Sequence, residues 1–172
     1  EFANFSGKTV YVGIDVHKKE WVCTVHLEEQ FFKTFTQPPS AEALRTFLDS
    51  NFPGASYHAC YEAGFCGFSV YRNLIKLGIN CMVVNPADVP QTTKDSLTKT
   101  DKIDSKRLAL CLCKGMLKPI YVPSRVDESD RKLIRYRTSV QREMANHKRC
   151  IRSLLFTLDI EIPQELNKPY WS

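Results

Sequence analysis

Residues 9–16, TVYVGIDV, decide the fold that this sequence predicts. The run is apolar and rich in β-branched residues, which is typical of a strand buried inside a sheet. Asp15 stands within it, and a buried carboxylate is costly unless it is paired or bound to a metal ion. The side chains of Asp15 and His17 point to the same sheet face, so His17 is expected near any such site. A hydrogen-bonded Asp at the end of a strand remains the structural alternative.

The residues that follow continue in an α/β order. Further strands are predicted at 21–27, 31–36, 56–61 and 79–84, and helices after Ser40, after Gly67 and from residue 100 or 101. A polar stretch without hydrophobic period, 91–99, predicts a mobile loop. An antiparallel meander followed by βαβ units predicts an α/β fold with a mixed sheet flanked by helices. That order fits an RNase H-like fold, and several other α/β folds would accept it.

A long helix is predicted from about Asp127 to Leu158, where the sequence has neither Gly nor Pro. Its residues at alternating spacings of four and three form a heptad seam that is mostly apolar. The seam consists of Leu133, Arg137, Val140, Met144, His147, Ile151, Leu154 and Leu158. Pairing with a second copy of the chain is favoured, and folding back onto the domain is left open.

The bulk composition predicts a soluble chain with enough apolar residues to form a core. Its 172 residues are 43% hydrophobic with a mean hydropathy of -0.30, and no apolar run approaches the length that spans a bilayer. The seven cysteines are odd in number and have no C-x-x-C pair, which favours reduced, buried thiols of a cytosolic protein over a zinc site. The opening Glu1-Phe2 and the abrupt end predict an artificial or disordered start at 1–8 and a continuation beyond 172.

Three further carboxylates stand where a metal site would need them. Glu62 closes a predicted strand, and the carboxyl ends of strands are where α/β proteins place ligands. Asp101 and Asp104 lie three residues apart on one face of a predicted helix. Each has a structural alternative. Glu62 could be a surface residue at a strand end, Asp101 a helix N-cap, and Asp104 a first-turn residue favoured by the helix dipole. Together with Asp15 they suit Mg²⁺, which prefers an all-oxygen site.

Basic residues are concentrated in the second half of the chain. The net charge of +5 combines a strongly basic segment, 94–152, with a remainder that is slightly acidic. A basic surface attracts the phosphate backbone of nucleic acids, although a solvated helix face gives the same composition. The candidate phosphate-binding residues beside the acidic pair are Lys99, Lys102, Lys106 and Arg107.

Four segments, YVGIDVHK, YEAGF, VVNPADV and KTDKIDSKRLA, occur in this order along the chain. They resemble the N-terminal domain of the DEDD transposases of the insertion-sequence family numbered 110, the group that includes pilin-gene invertases and bridge-RNA-guided recombinases. The resemblance runs over nearly the whole chain from Thr9. It implies a RuvC-like variant of the RNase H fold at 9–122, a dimerising coiled coil at 123–160, and a linker to a further domain at 161–172.

The resemblance also implies a site and an activity. The family's acids fall on Asp15, Glu62, Asp101 and Asp104, which would bind Mg²⁺, or Mn²⁺ in its place, for DNA strand cleavage and exchange during transposition. The implied partners are DNA, a second copy of the chain and, in some members, a guide RNA, in the cytoplasm of a bacterium or archaeon near the nucleoid. Family members carry a nucleophilic Ser in a C-terminal domain that no segment here matches. We therefore expect this chain to bind metal and nucleic acid without completing recombination.

Two other functions compete with this interpretation. An actin-like or sugar-kinase-type ATPase also opens with a strand that carries Gly-x-Asp, but Val16 and His17 follow the Asp here and no second phosphate loop appears. The other alternative is a dimeric nucleic-acid-binding module without catalysis, in which the four acids are only structural.

Overall fold

The computed structural model describes residues 4–90 and 101–162, except for the side chains of Asp101 and Lys102. The strands are β1 Thr9–Val16, β2 Trp21–Leu27, β3 Gln30–Gln37, β4 Ser56–Glu62 and β5 Asn80–Val84. The helices are α1 Ala41–Asn51, α2 Ser69–Lys76, α3 Asp101–Cys113 and α4 Arg125–Thr157, with a short 3-10 helix at Pro86–Asp88. The predicted loop at 91–99 and most of the predicted linker at 161–172 lie outside the described residues.

The five strands form one mixed sheet in the order β3-β2-β1-β4-β5. β1 pairs antiparallel with β2, and β2 pairs antiparallel with β3. β1 pairs in parallel with β4, and β4 in parallel with β5. This is the predicted meander followed by βαβ units, and helices flank the sheet. The prediction of an α/β, RNase H-like fold is therefore confirmed.

β1 is the middle strand, and its alternating side chains serve both faces of the sheet. Val10, Val12 and Ile14 are completely buried in the larger core. That core lies against α1 and α2, whose Leu44 and Leu74 are also inaccessible to solvent. The predicted cap of α1 is confirmed, because the amide of Ala43 donates a hydrogen bond to Ser40 Oγ at 3.1 Å.

α3 covers the opposite face, and Gly13 in the middle of β1 lets it approach closely. A Cβ atom built on Gly13 would lie 2.3 Å from both the amide nitrogen of Ala109 and the carbonyl oxygen of Ser105. Glycine in a strand interior often marks such a close approach of another backbone. Hydroxyl groups hold the same contact, since Ser105 Oγ lies 2.9 Å from Thr24 Oγ1 on β2. The sheet thus determines where α3 and its side chains lie.

α4 belongs to a separate compact unit that begins at Pro123, whereas the sheet belongs to the unit that ends at Val122. The helix starts two residues before the predicted Asp127, because Ser124 caps it by accepting a hydrogen bond from the Asp127 amide at 3.1 Å. Leu158 is its C-cap, and none of its 33 residues is buried. Over the described ranges, no helix combines the length and apolarity needed to cross a membrane.

Candidate metal and nucleic-acid site

The site begins where two parallel strands end side by side. The parallel register pairs Ile14 of β1 with Tyr61 of β4, so Asp15 and Glu62 are the next residues on neighbouring strands. Ile14 and Tyr61 are fully buried in the core on the α1 and α2 side. Because successive side chains alternate between sheet faces, Asp15 and Glu62 lie on the face that α3 covers. Two of the predicted acids therefore lie side by side at the carboxyl ends of β1 and β4.

α3 brings a third acid to the same place. Asp15, Glu62 and Asp104 line one cavity of about 150 Å³. The remaining lining residues are Ile14, Val16, Ala63, Gly64, Phe65, Cys66 and Leu108. The cavity is therefore acidic at its strand ends and at α3, and apolar elsewhere. The three acids come from β1, β4 and α3, which are far apart in sequence.

Arg107 links two of these acids. Its Nη2 lies 3.0 Å from Asp104 Oδ1 and 3.3 Å from Glu62 Oε1. The Arg107 side chain is only 11% exposed, and its Nε is buried without a hydrogen-bond acceptor in the described part of the chain. The guanidinium offsets the repulsion between the two carboxylates, which would otherwise be large in a poorly hydrated position. Its predicted role in phosphate binding stays a prediction.

His17 lies beside the remaining acid, as the strand alternation predicted. Its Nε2 is 3.0 Å from Asp15 Oδ2, and the imidazole is 43% exposed. His17 was predicted to lie near the site and was not among the four predicted metal ligands. The contact makes it a partner of Asp15 that can orient the carboxylate.

Not all the predicted site residues are described. Lys99 and the side chains of Asp101 and Lys102 lie outside the described residues, although Asp101 is the first residue of α3. Lys106 is exposed, and its Nζ lies 5.5 Å from the centre of the Phe31 ring. At that distance a cation is attracted to the face of an aromatic ring. The prediction that Lys106 binds nucleic acid is not tested by this contact.

The chemistry of the donors fits a hard divalent cation, because all three described acids offer carboxylate oxygens. Among the side chains that the structure describes, no three His, Cys, Asp or Glu residues form a group that could hold a metal ion as they stand. Two of the three carboxylates are turned toward Arg107. A metal ion at this cavity would thus need those carboxylates to reorient, or the Asp101 side chain to take part.

Two side chains of β4 and the β4–α2 turn have raised pKa values, and of the two only Cys66 lines the cavity. Burial raises the pKa of the Cys66 thiol, and burial also raises the pKa of the Tyr61 phenol. Cys66 therefore stays a thiol at neutral pH in the metal-free chain. Sequence reasoning did not identify Cys66 or Phe65 as neighbours of the acids. The only available signal was their position just after Glu62.

The chain is similar in sequence to transposases. The transposase for insertion sequence element IS1533 of Leptospira borgpetersenii is 29% identical over 160 residues, which is 90% of this chain and 46% of that protein. Two Sinorhizobium fredii proteins, named "Putative transposase y4qE" and "Putative transposase y4rJ", are 35% identical over 96 residues and 33% over 113. These matches cover 56% and 62% of this chain, and 24% and 28% of the two relatives. The matched part is thus less than half of each relative.

A family model described as a transposase, of the DEDD type of IS110 insertion sequences, matches residues 12–158. The match includes the strand that carries Asp15, the strand that carries Glu62, and α3. It also includes the whole of α4. The chain therefore belongs to the DEDD transposase family of IS110 insertion sequences.

Proposed function

We propose that this chain is the part of a transposase that binds a divalent metal and DNA for strand cleavage and exchange. The observation that carries the proposal is the convergence of Asp15, Glu62 and Asp104, from three separate elements, on one cavity. A structural explanation for each acid alone does not account for their meeting.

Asp15, Glu62 and Asp104, with Asp101 from the first turn of α3, would hold Mg²⁺. The bound metal would activate a water or hydroxyl and stabilise the leaving oxygen of a phosphodiester. His17 orients the Asp15 carboxylate through their 3.0 Å contact. Arg107 keeps Asp104 and Glu62 beside the cavity in the metal-free chain, and it would have to release them for a metal ion to bind. The apolar lining of the cavity excludes water from one side of the acids.

Lys99, Lys102, Lys106 and Arg107 are proposed to contact DNA phosphates. Neutralising phosphates releases counterions, so binding through these residues should weaken steeply as salt rises. A guide RNA is a further possible partner. Competition between single-stranded DNA and RNA for binding to the chain tests whether RNA also binds. The cytoplasm of a bacterium or archaeon is the compartment that this function requires.

We further propose that α4 pairs two copies of the chain. A 33-residue helix without a buried residue exposes Leu133, Val140, Met144 and Ile151 along its seam. Such a row of apolar side chains buries itself against an identical helix in a coiled coil. The arrangement would give a domain at 9–122, a dimerising helix at 123–160 and a linker at 161–172.

The chain spans less than half of the length of the relatives it matches, so we propose that a further domain completes recombination. This chain alone is then expected to bind metal and DNA without exchanging strands. Recombination of a donor and a target by the 172-residue chain alone would contradict this expectation.

The test of the metal site is calorimetric titration with Mn²⁺ of the wild type, Asp15→Asn and Asp104→Asn. We expect both variants to fold and to lose at least about tenfold in Mn²⁺ affinity, since each removes a charged ligand. Asp130→Asn is the matched control, because it removes the same charge from an exposed position on α4. Equal affinity in all four proteins would exclude the metal site and favour a non-catalytic binding module.

A further inference from the structure

Phe65 is a large apolar side chain that stays in solvent at the mouth of the acidic cavity. Its ring is 64% exposed, yet it lines the same cavity as Asp15, Glu62 and Asp104. Single exposed aromatic rings are common on protein surfaces, so exposure alone is weak evidence of a binding role. Phe65 differs from such rings because it lies beside three carboxylates in a chain that belongs to a transposase family.

The backbone beneath Phe65 is held in place by the core. The amide of Gly67 donates a hydrogen bond to the Gly64 carbonyl at 3.1 Å and closes a tight turn with Phe65 inside it. Gly67 has a φ of 56°, which a glycine adopts without strain. The hydroxyl of the fully buried Tyr61 donates to the Gly67 carbonyl at 2.9 Å and accepts from the Tyr71 amide at 3.3 Å. The ring is therefore presented by an anchored turn.

The surroundings of the ring select the chemistry of its partner. The carboxylates repel phosphates in the absence of cations, whereas a nucleobase is uncharged and offers a flat π face. Arg72 lies with its guanidinium carbon 5.9 Å from the centre of the Phe68 ring, so a positive charge follows the same turn. A base is therefore the part of a DNA strand that this ring is suited to contact.

We propose that Phe65 is a positioning residue that stacks on a DNA base beside the acidic cavity. The inference rests on the proposed function, since it assumes that DNA is the partner of this site. Base stacking on an aromatic side chain tolerates any sequence, because every base has a π face. Phe65 would therefore place the strand without choosing its sequence.

The experiment compares a fluorescein-labelled oligo(dT) with an abasic oligonucleotide of the same backbone, measured by fluorescence anisotropy in EDTA. The wild-type chain is expected to prefer oligo(dT). Phe65→Ala is expected to reduce that preference about tenfold while leaving the affinity for the abasic strand unchanged. Phe65→Trp is expected to keep the preference, because tryptophan also stacks.

Phe156→Ala is the matched control, because Phe156 is 88% exposed on α4, lies off the seam of that helix and belongs to a different unit from the cavity. Circular dichroism and thermal melting of each variant check that it is folded. The inference is overturned if the wild type shows no preference for oligo(dT), or if Phe65→Ala and Phe156→Ala change the preference equally. A loss in Phe65→Ala that is equal for both strands also overturns it, because a merely structural role would act on both.

The same measurement separates this inference from the proposed metal site. Asp15→Asn should keep the preference for oligo(dT) in EDTA while it loses Mn²⁺ affinity. Intact Mn²⁺ binding without a base preference would overturn only the role of Phe65. A base preference that depends on Phe65 in a chain that binds no Mn²⁺ would overturn only the metal site.

Discussion

The guanidinium of Arg107 ties α3 to the carboxyl end of β4, because its Nη2 lies 3.3 Å from Oε1 of Glu62. The two residues are 45 positions apart in sequence. The same nitrogen also contacts Asp104, so one cation serves two carboxylates of different elements. The stability of the folded domain and the state of the candidate site are thus linked through one side chain.

Replacing Arg107 by Gln should lower the free energy of unfolding by about 2 kcal/mol, because two poorly exposed carboxylates lose their counter-charge. Urea denaturation of the metal-free chain measures it. Lys114→Gln removes the same type of charge from an exposed position that directly follows α3, and it should leave stability within about 0.5 kcal/mol of the wild type. If the acids bind metal, Mn²⁺ should stabilise Arg107→Gln more than the wild type. An Arg107→Gln variant as stable as Lys114→Gln would show that the ion pairs contribute nothing.

Gly13→Ala should destabilise the fold by about 3 kcal/mol, because the added methyl group meets the backbone of α3 rather than a flexible side chain. Gly64→Ala is the control, since a Cβ there meets nothing closer than 3.9 Å. Thermal and urea denaturation of both variants provide the comparison. If Gly13→Ala and Gly64→Ala have the same melting temperature and free energy of unfolding, α3 does not pack closely against β1.

Stability should fall as the pH rises above 9.0, partly because of Cys23. Burial raises the pKa of this thiol from its ordinary value of 9.0 to about 12. Between these values the unfolded chain loses the thiol proton while the folded chain keeps it, so rising pH favours unfolding. Cys23 alone contributes a slope of at most about 1.4 kcal/mol per pH unit.

Urea denaturation on either side of pH 9.0 tests the assignment to Cys23. Cys23→Ala should make the free energy of unfolding less dependent on pH, even though the smaller side chain also lowers stability at every pH. Cys150→Ala should leave the pH dependence as it is, because Cys150 is exposed. An unchanged slope in Cys23→Ala would mean that other groups account for the effect.

Val140→Lys should weaken self-association of the chain by about tenfold or more, because it places a charge in the apolar seam of a paired helix. Sedimentation equilibrium over a range of protein concentrations measures the change. Tyr136→Lys is the control on the same helix, since Tyr136 is exposed and lies off the seam. Similar losses in both variants would argue against pairing through this seam, and a monomeric wild type would argue against pairing altogether.

The strands and helices could be predicted from local patterns because each is encoded by its own residues. Apolar runs and glycine breaks placed β1 and β4 within a residue of their ends, and Ser40 placed α1. The start of α4 was missed by two residues, because the capping Ser124 precedes the apolar period used to find the helix. The local sequence around Gly13 did not indicate that α3 would pack against it, because the contact joins residues far apart in sequence.

The candidate site was predictable in its acids and less so in their surroundings. The contact between His17 and Asp15 follows from strand alternation, and the nearness of Asp104 and Arg107 follows from their i, i+3 spacing on a helix. The contact of Arg107 with Glu62 depends on how α3 crosses the sheet, which no local pattern encodes. Phe65 and Cys66 enter the cavity for the same reason.

Gly13 has no side chain, yet it has a consequence for how mutational scans of this domain should be interpreted. The residues that a Cβ at this position would meet, Ser105, Leu108 and Ala109, stand on the helix that carries Asp104. A substitution in the middle of β1 can therefore displace a carboxylate without altering any acid. A β1 variant could then lose activity because α3 has moved, although all the acids are still present. A measurement of the variant's structure is needed to distinguish this case from the removal of a metal ligand.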